Sequence, residues 1–590
     1  MRYLNYSLLF LLPLLLFSWQ TPANQQWQRK VDPRLLEESR SQKGLDMLVL
    51  LNEQLQPQTS NQLSKEEKAW EVFEQLREAA ETSQRGLMQW LEREEIAFRR
   101  LYIVNALQLR GDLSLLEQLA KREDVARIVD NGAIRVSRLE ASQPVGQRGP
   151  RNLEWGVERV RAHEVWALGY RGAGVVVGGE DTGYDWMHPA LQSRYRGWNG
   201  TSADHNYNWH DAIRELNPLN EYPNDDPSNN SCGLDVDVPC DDQGHGTWTM
   251  GIMVGSDGDN QVGVAPDAQW IGCRNMENGW GSPFSYLECL EWFLAPTDLN
   301  GENPDPTKAP HVINNSWVCP EVEGCNPSNW GMIEQAINNL RSAGVFVVVA
   351  AGNDGREGCS SINKPPSIFE NSFAVGSIEP NDSVSNFSSR GPVTVDGSGR
   401  IKPNVMAPGR NIRSSQNGGG YMEGTGTSGS APFVAGTVAL MISANPDLAG
   451  QVELLEDILE QTVSIQHQPE DCGDLTAIPN NTYGFGSLDA LAAVEEALNL
   501  ITSTTEVPSA NPWPIYPNPT RDQVYFDLPS TTSSAWLELF DATGKRLQVL
   551  QQPFNGQAPL SLSLKAYPAG LYFYRLQIGA QQWSGRLLRQ

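Results

Sequence analysis

Three short glycine-containing segments each carry one side chain that could take part in acyl transfer. Asp181 stands in the run GGEDTG, His245 in DQGHGT and Ser428 in GTGTSGSAP. A serine hydroxyl becomes an effective nucleophile when an adjacent base takes its proton, and histidine titrates close enough to neutral pH to be that base. A carboxylate beside the histidine orients the ring and stabilises its charged form. These residue types therefore suit nucleophilic catalysis if folding brings them together.

Each segment taken alone also fits a simpler interpretation. Asp181 follows an apolar strand at residues 175–177, where an ordinary turn could stand. An aspartic peptidase would need two facing aspartates, and D-T-G occurs once. His245 could belong to a helix-cap loop, and Ser428 could be an N-cap residue. The chain order Asp, His, Ser is one of those in which this triad occurs in proteins.

An asparagine is the fourth candidate for the same site. Asn353 follows an apolar strand predicted over residues 345–351. Its amide could donate a hydrogen bond to a developing oxyanion, together with the backbone N–H of Ser428 at the start of a helix.

The segments D-T-G, G-H-G-T, A-A-G-N and G-T-S-x-S-x-P resemble the signature blocks of the subtilase family of serine peptidases. Further segments similar to that family are GVAP at 263–266, FSSRGP at 387–392 and KPNVMAPG at 402–409. The resemblance covers about residues 152–500. It implies that Ser428 is the nucleophile, His245 the general base and acid, Asp181 its orienting partner and Asn353 the oxyanion donor. It also implies secreted endopeptidase activity on protein or peptide substrates without a catalytic cofactor.

Two positions depart from the family pattern. Trp248 stands where the family commonly has histidine, and Val318 stands where the segment after Ser316 and Trp317 commonly has glycine. The second position borders the specificity pocket in the family, so the sequence predicts no preferred substrate side chain. Trp280 and Phe284 could line a peptide-binding groove or pack in the core.

Alternating apolar strands and helices indicate an α/β domain over residues 150–500, with a largely parallel sheet flanked by helices. Residues 311–317 and 373–378 are predicted strands, and residues 330–342 and 434–443 are predicted helices. The strand ends at Asp181 and Asn353 would then lie at the carboxyl edge of the sheet, where ligands bind.

A small α+β domain is predicted before it, over residues 24–145. Its strands are predicted at 45–51, 98–109 and 125–129, and its helices at 64–92 and 113–121. It resembles the family's propeptide, which assists folding and inhibits the enzyme until removed. We expect the mature chain to begin between Arg138 and Trp155.

The two ends of the chain indicate export. Arg2 and the apolar run 8–17 suit a signal peptide over residues 1–23, and no later stretch is predicted to span a membrane in the mature protein. A Ser/Thr/Pro-rich linker is predicted over 501–514, with a small β-sandwich at 515–590. The runs YPNPT, FDATGK and PAGLY resemble the type IX secretion sorting domain, which implies export to the medium or cell surface by that machinery. A carbohydrate-binding or adhesive sandwich is the alternative.

Charge and cysteines narrow the class of protein further. The net charge of −27 argues against a nucleic-acid partner. All eight cysteines lie between residues 232 and 472, which suggests disulfides in an exported protein. Cys232 with Cys240 and Cys319 with Cys325 are the plausible short-range pairs.

Two polar loops contain residue types that bind metals. In the acidic loop 225–242, Asp235, Asp237 or Asp241 could bind structural calcium, although a solvated loop explains the same residues. His205 and His210, with Asp204 and Asp211, more closely match a surface loop than a metal site. The rival functions are a non-catalytic surface-binding protein that keeps the protease fold and an aspartic peptidase that uses Asp181.

Overall fold

The structure is a computed structural model that describes residues 23–39, 44–132, 153–220, 230–464, 472–473, 477–505, 515–527, 534–541, 546–553, 559–578 and 581–589. The predicted signal segment up to residue 22 and the expected processing region at 138–152 lie outside this range. Two units, Met1–Ala497 and Leu498–Gln590, are described separately.

The N-terminal domain, which we define as residues 23–132, is an antiparallel sheet with helices. Its strands are β1 (Leu45–Leu51), β2 (Phe98–Leu101), β3 (Ala106–Gly111) and β4 (Val125–Asp130), in the order β2-β3-β1-β4. Its helices are α1 (Pro33–Glu38), α2 (Lys65–Arg93) and α3 (Leu113–Ala120). Helix α2 begins with a capping box, in which Ser64 and Glu67 satisfy each other's backbone N–H groups.

The single strand predicted over residues 98–109 is instead a hairpin. Strands β2 and β3 pair from Phe98 opposite Leu109 to Leu101 opposite Ala106. The turn between them contains Ile103 and Val104, which are fully buried. Because the residues of this turn are apolar, the sequence could not distinguish the turn from a continuous strand. The turn is apolar because it is buried against the rest of the unit.

The second part of the first unit is built on a seven-stranded sheet. Its strands are β5 (Val176–Asp181), β6 (Trp209–Asp211), β9 (Gln269–Arg274), β10 (Val312–Asn315), β11 (Phe346–Ala350), β12 (Phe373–Ile378) and β13 (Val405–Pro408). They have the order β13-β12-β11-β10-β5-β9-β6, and every pair is parallel. Two short hairpins accompany them, β7 (Ser256–Asp257) with β8 (Asn260–Gln261) and β14 (Ile412–Ser415) with β15 (Tyr421–Gly424). The predicted α/β fold is confirmed.

Nine helices accompany this sheet among the described residues. They are α4 (Trp155–Arg159), α5 (Ala162–Ala167), α6 (Pro189–Gln192), α7 (His245–Val254), α8 (Pro283–Leu294), α9 (Trp330–Ser342), α10 (Thr427–Ala444), α11 (Val452–Gln461) and α12 (Ala490–Thr505). Within the described residues, α10 is also the one helix whose length and composition would allow it to cross a membrane, and 89% of its apolar window is buried inside the protein.

Four disulfides cross-link this part of the chain. Cys232–Cys240 and Cys319–Cys325 form as their spacing suggested, and the other pairs are Cys273–Cys289 and Cys359–Cys472. The last one joins residues 113 positions apart, which sequence spacing alone could not identify.

The C-terminal unit contains two antiparallel sheets, as predicted for a β-sandwich. The strands are β16 (Ile515–Tyr516), β17 (Gln523–Phe526), β18 (Ser534–Phe540), β19 (Arg546–Pro553), β20 (Leu560–Ser563), β21 (Gly570–Ile578) and β22 (Gln581–Arg589). One sheet has the order β16-β17-β20 and the other β19-β18-β21-β22. Phe526 and Tyr574 meet edge to face at 5.0 Å across the shared core. Helix α12 continues to Thr505, so the predicted linker begins as helix. Residues 506–514 and 542–545 lie outside the described range.

Candidate active site

Asp181 is the last residue of β5, in the interior of the parallel sheet, and its side chain is buried. Its carboxylate lies 2.8 and 3.0 Å from Nδ1 of His245. It also accepts hydrogen bonds from the backbone N–H of Thr182 at 2.7 Å and from Oγ1 of Thr249 at 3.2 Å. These donors orient the carboxylate, and the carboxylate makes Nδ1 the protonated ring nitrogen, which leaves Nε2 free to act as a base.

His245 begins α7, and glycines make its approach to Asp181 possible. Gly244 has φ of 99°, in the left-handed region. A Cβ atom at Gly246 would lie 2.1 Å from the carbonyl oxygen of Gly183. The first turn of α7 can therefore reach the loop after β5 only because residue 246 has no side chain.

Two opposing effects act on the pKa of His245. Burial disfavours the charged ring, while the negative charge of Asp181 and its hydrogen bond to Nδ1 favour it, and Asp241 adds to the favourable charge. The second group of effects is larger, so the pKa is raised above the ordinary value of 6.5. The ring is thus a better proton acceptor than a free imidazole.

Ser428 is the second residue of α10 and is partly exposed. Its carbonyl oxygen accepts a hydrogen bond from Oγ of Ser316 at 2.8 Å, which ties the start of α10 to the segment that follows β10. Backbone N–H groups in the first turn of a helix have no carbonyl partner within the helix. The N–H of Ser428 is therefore placed to stabilise negative charge next to its own hydroxyl.

Asn353, three residues beyond β11, lies beside the same helix start. Its Oδ1 accepts from the backbone N–H of Thr427 at 2.9 Å and from Oγ1 of Thr427 at 3.1 Å. A backbone N–H can only donate, so this contact fixes which end of the amide is oxygen. Nδ2 is consequently the end left to donate elsewhere, and the residue is exposed.

Trp248 packs the His245 helix against the Ser428 segment. Its indole is buried and lies 5.9 Å from the His245 ring, and Nε1 donates to the carbonyl oxygen of Ile412 at 3.0 Å. A Cβ at Gly424 or Gly429 would come within 2.5 or 2.7 Å of that indole. The tryptophan that departs from the family pattern therefore fills the space between the two segments.

The segment expected to border the specificity pocket lies next to Asn353. Trp317 is buried and stacks on Tyr286, with ring centroids 3.9 Å apart. Val318 is partly exposed, and its Cγ1 would lie 3.9 Å from a Cβ at Gly352. Phe284, the second groove candidate, is a core residue under the guanidinium of Arg99, whereas Trp280 is partly exposed.

The surface loop expected for His205, His210, Asp204 and Asp211 is wrong for two of these residues, because His210 and Asp211 belong to β6. Both histidines have partners within the protein. Nε2 of His210 lies 3.0 Å from Glu288, and its ring stacks on Trp292. Nδ1 of His205 lies 2.9 Å from the hydroxyl of Tyr195. Asp204 and Asp211 accept hydrogen bonds from nearby backbone N–H groups.

The aspartates proposed for calcium do not form a cluster in the described part of their loop. Asp235 pairs with Arg214. Asp237 is exposed. Both oxygens of Asp241 are occupied by protein donors. Among the described residues no group of three or more His, Cys, Asp or Glu side chains could hold a metal ion.

The sequence did not identify the hydroxyl groups that support the site. Thr182, Thr247 and Thr249 all hydrogen-bond to aspartates around His245. The available signal was their position, since Thr182 and Thr247 stand within the D-T-G and G-H-G-T segments and Thr249 stands two residues after the second.

Comparison with known proteins shows the family of the chain. A model of the subtilase family matches residues 172–486, and a model of the secretion system C-terminal sorting domain matches residues 514–590. Bacillopeptidase F of Bacillus subtilis is 34% identical over 452 residues, which is 72% of this chain and 29% of that protein. Serine protease AprX of the same organism is 32% identical, over 36% of this chain and 51% of AprX. The chain thus spans between about a third and a half of these relatives' length.

Subtilisin Savinase of Lederbergia lenta is matched along almost its whole length, 98%, at 29% identity over 58% of this chain. The fold is also shared with the epidermin leader peptide processing serine protease of Staphylococcus aureus, whose crystal structure was solved for a serine-to-alanine variant. It aligns with a TM-score of 0.56 and 16% identity over 77% of this chain and 99% of that one. Because the subtilase family model matches more than half of its length, the chain belongs to the subtilase family, and it carries a C-terminal secretion sorting domain.

Proposed function

We propose that the protein is an exported serine endopeptidase that hydrolyses peptide bonds through an acyl-enzyme. The observation that carries this proposal is the hydrogen bond between Asp181 and Nδ1 of His245 at the carboxyl edge of the sheet. Membership of the subtilase family and the helix start at Ser428 support it.

The reaction follows from the roles of four side chains. Ser428 Oγ attacks the scissile carbonyl carbon while Nε2 of His245 takes the hydroxyl proton, and Asp181 stabilises the resulting imidazolium. The tetrahedral oxyanion accepts from Nδ2 of Asn353 and the N–H of Ser428. His245 then gives its proton to the leaving amine, and water releases the acyl group by the same steps in reverse. Subtilases need no cofactor for this chemistry.

A serine-reactive organophosphate tests the assignment directly. The wild-type protein should be labelled stoichiometrically on Ser428 and lose peptidase activity, whereas Ser428→Ala should bind no label. Absence of labelling in a folded wild-type protein would instead favour a non-catalytic surface-binding role, and labelling at another serine would overturn the choice of Ser428.

We further propose that the N-terminal domain is a propeptide. Its hairpin turn reaches the peptidase part through α8, because Glu291 accepts from the backbone N–H groups of Tyr102 and Ile103 at 2.5 and 2.9 Å. The carbonyl oxygen of Ile103 accepts from Nδ2 of Asn339 at 2.7 Å. Both helices α8 and α9 therefore hold the same turn.

A second set of contacts anchors the start of α2. Lys65 and Lys68 are buried, and their ammonium groups donate to the carbonyl oxygens of Ala309 and Gly450 at 2.7 Å each. Burying two ammonium groups is costly unless they are hydrogen-bonded. These contacts therefore indicate that the N-terminal domain is adapted to bind the peptidase part and not to exist as a free domain.

N-terminal sequencing tests the processing step. Active wild-type enzyme should begin between Arg138 and Trp155, and Ser428→Ala should keep the N-terminal domain attached. Identical processing of the two purified proteins would exclude self-cleavage.

We also propose that the C-terminal sorting domain takes the protein to the medium or cell surface through the type IX secretion machinery.

A further inference from the structure

A second buried carboxylate lies close to His245. Asp241 is 5% exposed and stands four residues before the histidine. Its Oδ1 accepts from Oγ1 of Thr182 at 2.8 Å and from the backbone N–H groups of Gln243 and Gly244 at 3.1 and 2.7 Å. Its Oδ2 accepts from the N–H and Oγ1 of Thr247 at 2.9 and 2.6 Å. Five protein donors therefore point at one carboxylate.

The two threonine hydroxyls are placed to donate to it. Oγ1 of Thr182 already accepts from the N–H of Gly246 at 3.0 Å, and Oγ1 of Thr247 accepts from the N–H of Asp185 at 2.9 Å. Each hydroxyl has one proton, and the remaining partner of each is Asp241. Burial raises the pKa of Asp241 above its ordinary value, whereas the hydrogen bonds from Thr247, Gly244 and Thr182 act in the opposite direction and favour the carboxylate anion.

These hydrogen bonds connect the segments that carry Asp181 and His245. Thr182 directly follows Asp181, whereas Gly244 and Thr247 flank His245. The two segments are also in close backbone contact, because the N–H of Tyr184 donates to the carbonyl oxygen of Cys240 at 3.2 Å. Asp241 therefore connects the end of strand β5, which carries Asp181, to the start of helix α7, which carries His245, through hydrogen bonds.

We propose that Asp241 is a positioning residue for the catalytic pair, which fixes His245 against Asp181 and whose negative charge favours the imidazolium formed during the reaction. This inference rests on the proposed roles of Asp181, His245 and Ser428. It gives a function to a residue that composition alone placed in an acidic loop.

The surrounding charges leave Asp241 as the second anion acting on the ring. Asp181 is the first, from β5. Asp242 lies 3.6 Å from Arg274, and Asp185 accepts from the backbone N–H of Gly418 at 3.0 Å, so both have partners of their own. Loss of the charge at residue 241 should therefore lower the pKa of His245.

Asp241→Asn tests the inference while preserving the shape of the side chain. In the asparagine variant an NH₂ group replaces one of the two carboxylate oxygens. The donors that point at that oxygen lose their acceptor, so the loop shifts. We expect kcat to fall about 10²-fold with KM unchanged, since a small misplacement of a catalytic group has that effect. The acid limb of the kcat/KM profile should move to lower pH. A wild-type profile together with kcat within threefold of wild type would overturn the inference.

Thr182 supplies a second test that keeps the carboxylate, should Asp241→Asn fail to fold. Thr182→Ser retains the hydroxyl that joins Gly246 to Asp241, and Thr182→Val removes it at nearly equal volume. The serine variant should keep kcat within about threefold of wild type, whereas the valine variant should lose about tenfold or more at unchanged KM. Equal activity of the two variants contradicts the cross-link.

A matched control removes the same charge elsewhere in the loop. The side chain of Asp235 is 65% exposed and pairs with Arg214. Asp235→Asn should leave the acid limb of the kcat/KM profile at its wild-type pH. A shift of that limb as large as the one in Asp241→Asn would show that any lost negative charge has the same effect, and it would overturn the positioning role. Ser428→Ala separates the two proposals. If that variant is active, the triad assignment fails; if it is inactive while Asp241→Asn behaves as wild type, only the present inference fails.

Discussion

At the scale of single residues, the candidate site is a set of side chains whose orientation is fixed by donors of known direction. The amide of Asn353 is oriented because a backbone N–H can only donate to its oxygen. The carboxylate of Asp181 is held in the same way by the backbone N–H of Thr182. Such preorganisation means that substrate binding need not spend free energy on arranging the groups.

Replacing the carboxylate beside His245 should be severe although the geometry is retained. Asp181→Asn presents an amide to the ring, which favours the wrong tautomer and no longer stabilises the imidazolium. We expect kcat to fall about 10⁴-fold, with a folded protein of similar melting temperature. Steady-state kinetics and thermal unfolding measure the two quantities, and a loss below tenfold would show that another group orients His245.

The pH dependence of activity follows from the raised pKa of His245. The base must be neutral, so kcat/KM should rise with pH through a pKa above 6.5 and be lost below it. A kcat/KM profile in a buffer series at constant ionic strength gives this pKa. In Asp181→Asn the residual activity should titrate at lower pH, because the opposing negative charge is gone; an unchanged limb would mean that a group other than His245 is titrating.

Removing the oxyanion donor should affect turnover more than binding. Asn353→Ala leaves Thr427 without its acceptor and deletes Nδ2, so we expect kcat to decrease by about 10²–10³ with little change in KM. Asn353→Asp is the control, since it restores an acceptor for Thr427 without a donor for the oxyanion. It should remain as impaired as Asn353→Ala. Recovery of activity in the aspartate variant would show that the role of residue 353 is to hold Thr427.

At the scale of elements, the site depends on close approach between a strand end and two helix starts. Strand β5 and helix α7 meet through Gly183 and Gly246, and α7 meets the start of α10 through the indole of Trp248. The parallel sheet brings the ends of β5, β10 and β11 to one edge, where α10 also begins. Small residues at these contacts are therefore as necessary as the reactive ones.

A single added methyl group should separate these elements. Gly246→Ala places a Cβ 2.1 Å from the carbonyl oxygen of Gly183, so α7 must move away from β5. We expect at least a 10²-fold loss of kcat and a lower melting temperature. Gly331→Ala is the matched control in α9, because a Cβ there meets nothing within 4 Å and alanine favours a helix by about 1 kcal/mol. It should retain full activity, and equal behaviour of the two variants would refute the contact argument.

At the scale of the whole molecule, the chain combines a catalytic unit with a separate compact C-terminal unit. The latter has a core of its own and lies outside the residues that match the subtilase family. The reactive candidates and all four disulfides lie in the first unit. Catalysis and sorting are thus carried by separate hydrophobic cores.

Deletion of residues 513–590 should separate these two functions. Because the sandwich has a hydrophobic core of its own, we expect the truncated enzyme to retain peptidase activity in vitro while failing to reach the surface or medium of the native host. Activity assays and cell fractionation measure the two effects, and the full-length chain is the control. Normal surface delivery of the truncated protein would make the sandwich a binding module, in line with the adhesive alternative.

The sequence by itself determined the α/β class, the four candidate residues and the sandwich. These follow from local patterns in the sequence. The spacing of apolar residues indicates which face of a strand or helix is buried, and glycine-rich segments indicate where the backbone closely approaches another segment. The tertiary structure decided what depends on distant partners. It decided that residues 98–109 form a hairpin whose apolar turn is held by Glu291, and that Cys359 pairs with Cys472. It also decided that Asp241, one acidic residue among many in its loop, faces five donors beside His245. The direction of a side chain toward a remote segment has no periodicity, so no local pattern could have revealed it.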